Sequence, residues 1–379
     1  VIPTPVAPIP SLGAARAACR VSVAIPASNE EAGIAATLAS LIAQRDFAGR
    51  PLDPELFEVI VYVNNTQDAT ADRVRAFAAD HPAWAIHAVE APPPGGPPHV
   101  GHARGTAMAL AADRMTADDR DGIVATTDAD TRVGPRWIAA TMRALETVDA
   151  VGGRVATEPP TEAGGRAALA LDRHFKHAIV ALECVLDPVP WDTWPRHSNH
   201  QGASLALHAR LYRRIGGVPA LAALEDLGLY RALLLADARF RHDVAVQVVT
   251  SARRVSRIHG GYASDLDALD AHVRGERPFL VQHPVDMAAV LRNRGIVRTL
   301  WHAPPASRAA LAPAAALALD RQPGDVLAVV ASAASAGRAL AAFELDPRPR
   351  SSLARLVPID EATTGLRAFL ARATGVATR

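Results

Sequence analysis

Asp128 and Asp130 close the apolar run Ile123 to Val133, IVATTDADTRV, just ahead of Gly134-Pro135. Carboxylates this close repel unless a cation, a basic group or water separates them. Spacing alone says little, because Asp-x-Asp recurs at Asp119/Asp121 and at Asp265/Asp267. Context distinguishes them: GIVATT reads as a buried strand that carries Asp128 and Asp130 to its end, whereas ADDRDG is a polar loop and SDLDALDAH a helical surface. Paired carboxylates without a cysteine or histidine cluster suit a hard divalent cation, Mg²⁺ or Mn²⁺, and such an ion commonly also holds phosphate oxygens.

Two later stretches carry chemistry of their own. Glu225-Asp226, in LEDLG, is the only Glu-Asp step in the chain and is expected to open a helix behind a Gly-Gly turn; acidic residues in a first helical turn are also favoured by the macrodipole. Trp191, Trp194, His197 and His200 form a polar-aromatic loop just before Gln201. Flat aromatic faces suit sugar rings, and a tryptophan-anchored loop packed on a core suits the same residues.

The elements that must hold these groups repeat a simple unit. VSVAI (Val21 to Ile25) is a short β-branched run of the kind buried on both faces. PASNEE follows, with Ser28 and Glu31 at capping-box spacing, and then Ile34, Leu38, Leu41 and Ile42 on one helical face. FEVIVYV leads through NNTQDAT into ADRVRAFAAD, AIHAVE into HARGTAMALAADRM, and GIVATTD into GPRWIAATMRALE. The alternation predicts a parallel, doubly wound α/β sheet. In such a sheet the ligand lies beyond the carboxyl ends of the strands, the layer to which Ser28, Asn29, Glu31, Asn64, Asn65, Asp68, His102, Arg104, Asp128 and Asp130 all belong. A metal at Asp128/Asp130, Arg104 near a diphosphate, and the Pro26-Ala27 and Asn64-Asn65 loops around a base and ribose describe a nucleotide-diphosphate site. Neither a P-loop nor a G-x-G-x-x-G fingerprint is present.

In order, VSVAIPASNEE, VNNTQDAT, GHARGTAMALA, TTDADTRVGPRWI and QGASLALHARLYRRIGG…LEDLGLYRALL resemble the successive motifs of family 2 glycosyltransferases with the GT-A fold, over about Val21 to Gly261. The resemblance implies a GT-A catalytic domain at 21–262, with a nucleotide-sugar half (21–150) and an acceptor half (151–262). A Pro-rich arm (1–20) precedes it and a C-terminal helical extension (263–379) follows. It also implies a nucleoside pocket lined by Pro26, Ala27, Asn29 and Glu31, a base contact at Asn65, Arg104 approaching the diphosphate, and Asp128 with Asp130 as the metal pair, Asp130 binding directly. Asp226 becomes the general base for an acceptor hydroxyl, with Glu225 beside it, and His259 in RIHGG a further metal or diphosphate ligand. Trp191, Trp194 and Gln201 are expected at the acceptor, and transfer is expected to invert the sugar. Where many members carry paired aspartates this chain has Asn64-Asn65, an amide that both donates and accepts, so the preference for a UDP-sugar rests on the rest of the pocket.

Composition narrows the alternatives. The 379 residues are 49% hydrophobic, and 40 basic residues nearly cancel 39 acidic ones, which excludes a polyanion-binding surface and hence nucleic acid as the main partner. The two cysteines, Cys19 and Cys184, fall in no metal-type or redox-type sequence pair and fit a reducing, cytoplasmic setting. VIPTPVAPIP has no basic leader, and the Ala-rich tail is too interrupted by charge to span a membrane; it is expected to pack over the acceptor side or to form a homodimer. Competing readings are a retaining GT-A transferase, a sugar-phosphate nucleotidyltransferase, disfavoured because PASNEE replaces a Gly-rich basic first loop, and a non-catalytic nucleotide-sugar-binding homologue, disfavoured by the intact acidic pairs.

Overall fold

The computed structural model describes residues 12–90, 99–158, 162–251, 262–345 and 355–374. Its elements run β1 (Val21–Ala27), α1 (Ile34–Ile42), β2 (Phe57–Val63), α2 (Thr70–Asp80), β3 (Ala85–Glu90), α3 (Val100–Thr116), β4 (Ile123–Thr126), β5 (Thr131–Val133), α4 (Trp137–Leu145), β6 (Ala150–Thr157), α5 (Ala163–Leu186), β7 (Leu205–His208), α6 (Ala209–Arg214), α7 (Glu225–Leu235) and β8 (Phe240–Thr250). There follow α8 (Tyr262–Val273), β9 (Leu280–Gln282), α9 (Pro284–His302), α10 (Pro305–Leu319), α11 (Pro323–Ser332), α12 (Ala336–Ala342), β10 (Leu356–Pro358) and α13 (Ile359–Thr374). Two compact units result: Val1–Glu158 with Asn199–Leu233 and Arg239–Arg253, and Pro159–Ser198 with Leu234–Ala238 and Arg254–Arg379. The long helix α5 and the loop up to Ser198 thus group with the C-terminal helices.

The first unit is built on an eight-stranded sheet of order β3-β2-β1-β4-β7-β6-β8-β5. β1 and β2 are buried along nearly their whole length, as parallel strands covered on both faces must be. They pair from Val21 with Phe57 to Ala27 with Val63, so their ends are level. β4 joins the opposite side of β1 and stops at Thr126, beside Ala24. The strand order therefore switches direction between β1 and β4, the position at which open α/β sheets place a ligand crevice.

Beyond β4, where the regular strand-helix alternation fades, the sheet becomes mixed. β7 is antiparallel to both β4 and β6, and β5 is antiparallel to β8. A four-residue apolar run such as LALH looks the same in either direction, so its burial carries no directional signal. The capping box expected at Ser28 and Glu31 does not form either: α1 starts at Ile34 behind Gly33, without a side-chain cap.

In the second unit Phe175, Leu182, Leu269, Leu291, Ile359 and Leu366 form the main core cluster. Beside it lies a buried ionic network. Asp187, 2% exposed, accepts from Arg298 Nε and Nη2 (2.8 and 3.1 Å) and pairs with Arg294 Nη2 at 3.0 Å. Arg294 also reaches Glu183 at 3.1 Å, and Arg196 joins Glu183 to Asp192. The residues following α5 are thereby fixed to α9. Among the described residues no helix is long and apolar enough to cross a membrane.

Removing one member of a buried ionic network strands its partners without compensation. Asp187→Ala is therefore expected to lower stability by about 3–5 kcal/mol in urea denaturation; a loss under ~1 kcal/mol would mean that Arg294 and Arg298 are satisfied without it.

Candidate active site

The loops after β1 and β2 are stitched together side chain to backbone. Ser28 Oγ donates to the Asn65 carbonyl (3.2 Å), the Gln67 N–H donates to Asn29 Oδ1 (2.8 Å), and the Asn29 N–H to Thr66 Oγ1 (3.3 Å). The Glu31 N–H donates to Asp68 Oδ2 at 3.0 Å, while the Ala69 N–H donates to Glu31 Oε2 at 3.3 Å. The polar residues that sequence spacing assigned to helix capping instead bind one loop to the other. Burial opposes the charge on Asp68, yet hydrogen bonds from Thr70 and Glu31 hold its pKa below the usual carboxylate range. Asn29 and Asn65 have φ of 54° and 52°, a left-handed conformation that asparagine tolerates better than most residues. Pro26 and Ala27 end β1 beneath these loops, and the Ala27 carbonyl accepts the Asn64 N–H at 3.0 Å.

The turn bearing Asp128 and Asp130 is held from several sides. Thr127 Oγ1 donates to the Ala203 carbonyl (2.8 Å) and Thr37 Oγ1 to the Ala129 carbonyl (2.8 Å). The Thr131 N–H closes the turn on the Asp128 carbonyl at 3.1 Å, and the chain passes directly into β5. Both aspartates are half-buried. The competing triplet at Asp119/Asp121 is engaged elsewhere: Arg210 pairs with Asp119 and donates its N–H to Asp121 Oδ1.

Arg104, in the second turn of α3, joins the early motifs to the late one. It is 4% exposed. Nη2 donates to Asp128 Oδ1 (2.8 Å), Nε to Glu225 Oε1 (3.0 Å), and Nη1 to Thr126 Oγ1 and the Gly202 carbonyl (3.1 Å each). Burial works against its charge, but Asp128, Glu225 and Asp226 outweigh that and raise its pKa. Gly202 is required here, since a Cβ at that position would stand 2.3 Å from the guanidinium carbon. Its N–H donates to Asp226 Oδ2 (3.1 Å), and Asp226 Oδ1 accepts the Leu227 N–H (2.7 Å) in the first turn of α7. Next to Gly202, Gln201 Oε1 is shielded from water and lacks a hydrogen-bond partner.

Asp128, Asp130, Glu225 and Asp226 thus belong to segments gathered about one guanidinium, an excess of negative charge that a divalent cation would offset. Their donor set is all oxygen, as Mg²⁺ or Mn²⁺ prefers. Among the described residues no three His, Cys, Asp or Glu side chains converge as a ready-made metal cage, so coordination by the two aspartates would be completed by ligand oxygens and water. His259 lies outside the described residues. Trp191 and Trp194 belong to the second unit, where Trp194 is 49% exposed and edge-on to His177; Gln201 belongs to the first. His200 packs flat on Tyr230 at 4.5 Å as part of a core. Thr126 and Gly202 were not foreseen; the only hint was a glycine following the glutamine of QGAS.

Residues 22–193 match the model of Glycosyl transferase family 2. No curated protein matches the chain in sequence. Among solved structures, a mannosyltransferase from Pyrobaculum calidifontis in complex with GDP-Man and Mn²⁺ is 20% identical over 94% of this chain and 86% of its own, with a TM-score of 0.46. S. aureus TarS 1–349 in complex with UDP is 13% identical over 95% and 93%, at 0.44. Glucosyl-3-phosphoglycerate synthase from Mycobacterium tuberculosis in complex with UDP is 17% identical over 72% and 89%, at 0.38.

Leu224, immediately before Glu225-Asp226, has φ of 60° and is 50% exposed. A bulky residue in the left-handed region is strained. Leu224→Asn is expected to raise stability by roughly 1 kcal/mol in thermal unfolding; a loss would show that the leucine side chain contributes more by packing than its backbone costs.

Proposed function

We propose, from the match of residues 22–193 to Glycosyl transferase family 2, that this chain is a GT-A transferase that moves a sugar from a nucleotide-diphosphate sugar, with a UDP-sugar favoured, to an acceptor hydroxyl, with inversion and with a divalent cation. One observation carries this reading: a single buried guanidinium contacts both the strand-end Asp128 and the Glu225 that neighbours Asp226. It brings the donor-side and acceptor-side motifs to one place.

In this reading the interlocked loops of Pro26, Ala27, Asn29, Glu31 and Asn65 hold the nucleoside, and their mutual hydrogen bonds keep the pocket preformed. Asp130 and Asp128 hold the cation, Mn²⁺ or Mg²⁺, which when bound neutralises charge on the leaving diphosphate and is worth several kcal/mol in such a step. Asp226 takes the proton of the attacking hydroxyl. Its two backbone N–H donors fix the carboxylate but leave lone pairs for that proton. A base must act from the side opposite the leaving group, and a base supplied by α7 rather than by the strand ends β1 to β4 meets that need. Gln201 Oε1, lacking a protein donor, is suited to an acceptor hydroxyl; Trp191 and Trp194 are kept as acceptor residues on the sequence reading alone. His259 is kept as a further ligand of the metal or diphosphate on the family resemblance alone.

Asp226→Asn is expected to leave donor binding nearly intact and to lower turnover by roughly 10²–10⁴-fold; near-normal turnover would remove Asp226 from the mechanism. Asp130→Ala should abolish the Mn²⁺ dependence of nucleotide binding in calorimetry, and unchanged metal-dependent binding would place the cation elsewhere.

A further inference from the structure

The chemistry above gives Arg104 no substrate contact of its own, yet the fold commits much to it. All three of its nitrogens donate to protein acceptors, and a substituent larger than hydrogen at Gly202 would strike it. Approaching a diphosphate would mean leaving the charged partners that make its burial tolerable. Among the described residues no other basic side chain lies within ion-pair distance of Asp128 or of Glu225.

We propose, on the basis of the transferase reading, that Arg104 is a positioning residue: the buried cation shared by Asp128 and Glu225, through which the placement of the metal-side carboxylate depends on the acceptor-side one. The geometry of the guanidinium makes the coupling possible. Nε serves Glu225 while Nη2, across the same rigid plane, serves Asp128, and Nη1 is pinned between Thr126 at the end of β4 and the Gly202 carbonyl. Rotation of that plane to follow one carboxylate moves the donor offered to the other. A lysine, with a single charge point on a flexible stem, cannot hold two carboxylates at fixed separation in this way. Glu225 is thereby committed to Arg104, which leaves Asp226 as the carboxylate of the pair that accepts from backbone amides, those of Gly202 and Leu227.

The test is calorimetric titration of UDP, or of GDP if the wild type prefers it, with Mn²⁺ present and with it chelated, on wild type, Glu225→Gln, Arg104→Lys and the double variant. Glu225→Gln should weaken binding about 5-fold or more only when Mn²⁺ is present. Arg104→Lys should act in the same direction, and the double variant should be no weaker than Arg104→Lys alone. Nucleotide affinity insensitive to Glu225→Gln, or single effects that multiply in the double variant, would overturn the shared clamp. An equal loss in Arg104→Lys with and without Mn²⁺ would also overturn it, assigning Arg104 to direct diphosphate contact. Thermal unfolding run in parallel identifies a variant that has not folded; if Arg104→Lys is one, the nearly isosteric Glu225→Gln decides alone. A wild type that binds neither nucleotide would overturn the transferase reading and the clamp together, whereas binding that ignores Glu225 would overturn only the clamp.

Discussion

The first unit is arranged around a guanidinium that cannot be solvated. A buried cation needs both opposite charge and enough acceptors for its N–H groups, and Arg104 obtains them from three segments far apart in sequence: the end of β4 with the turn after it, the Gly202 loop and the start of α7. Each supplier is constrained in return. Gly202 can carry no side chain, Thr126 must present its hydroxyl inward, and α7 must begin where Glu225 reaches the guanidinium, even though Leu224 is then forced into the left-handed region.

Around this centre rigidity comes from polar cross-links more than from apolar packing. The loops after β1 and β2 have few large side chains to bury, and Ser28, Asn29, Glu31 and Asp68 instead saturate one another's backbone donors and acceptors. Loops cross-linked in this way are ordered by their own contacts, which would lower the ordering cost of any ligand that bound there. The second unit uses the opposite device, sinking its ionic groups into the interior, where Asp187 and Glu183 bind the residues after α5 to α9.

Much of this could be read from residue pattern. The runs VSVAI, FEVIVYV and AIHAVE became strands, and the apolar spacing after each became a helix, because two-sided burial and helical periodicity are local properties. The position of Asp128 and Asp130 at a strand end was legible for the same reason. The antiparallel course of β5 and β7 was not, since direction is set by where the preceding connection returns and not by the four residues themselves. The true partners of Ser28 and Glu31 were hidden because capping-box spacing and a loop-to-loop bond call for the same side chains. The three-residue strand β5 was lost within the Asp-x-Asp turn. Arg104 was singled out for its charge near a strand end, but its depth of burial depends on Gly202 and Glu225, roughly a hundred residues downstream.

That separation has a consequence for the order in which the molecule can assemble. The contact between Arg104 and Glu225 spans 121 positions, and the one between Thr131 and Thr250 spans 119. Contacts closing such long loops form late, after the entropy of bringing distant segments together has been met. A growing chain that has reached β4 therefore holds Arg104 and Asp128 with half of their charge environment missing. The β1 to β4 segment can gain its hydrophobic layers early, whereas the cluster of Arg104, Asp128 and Glu225 exists only once α7 has docked, which makes it a product of a late folding event rather than a feature of the nucleus.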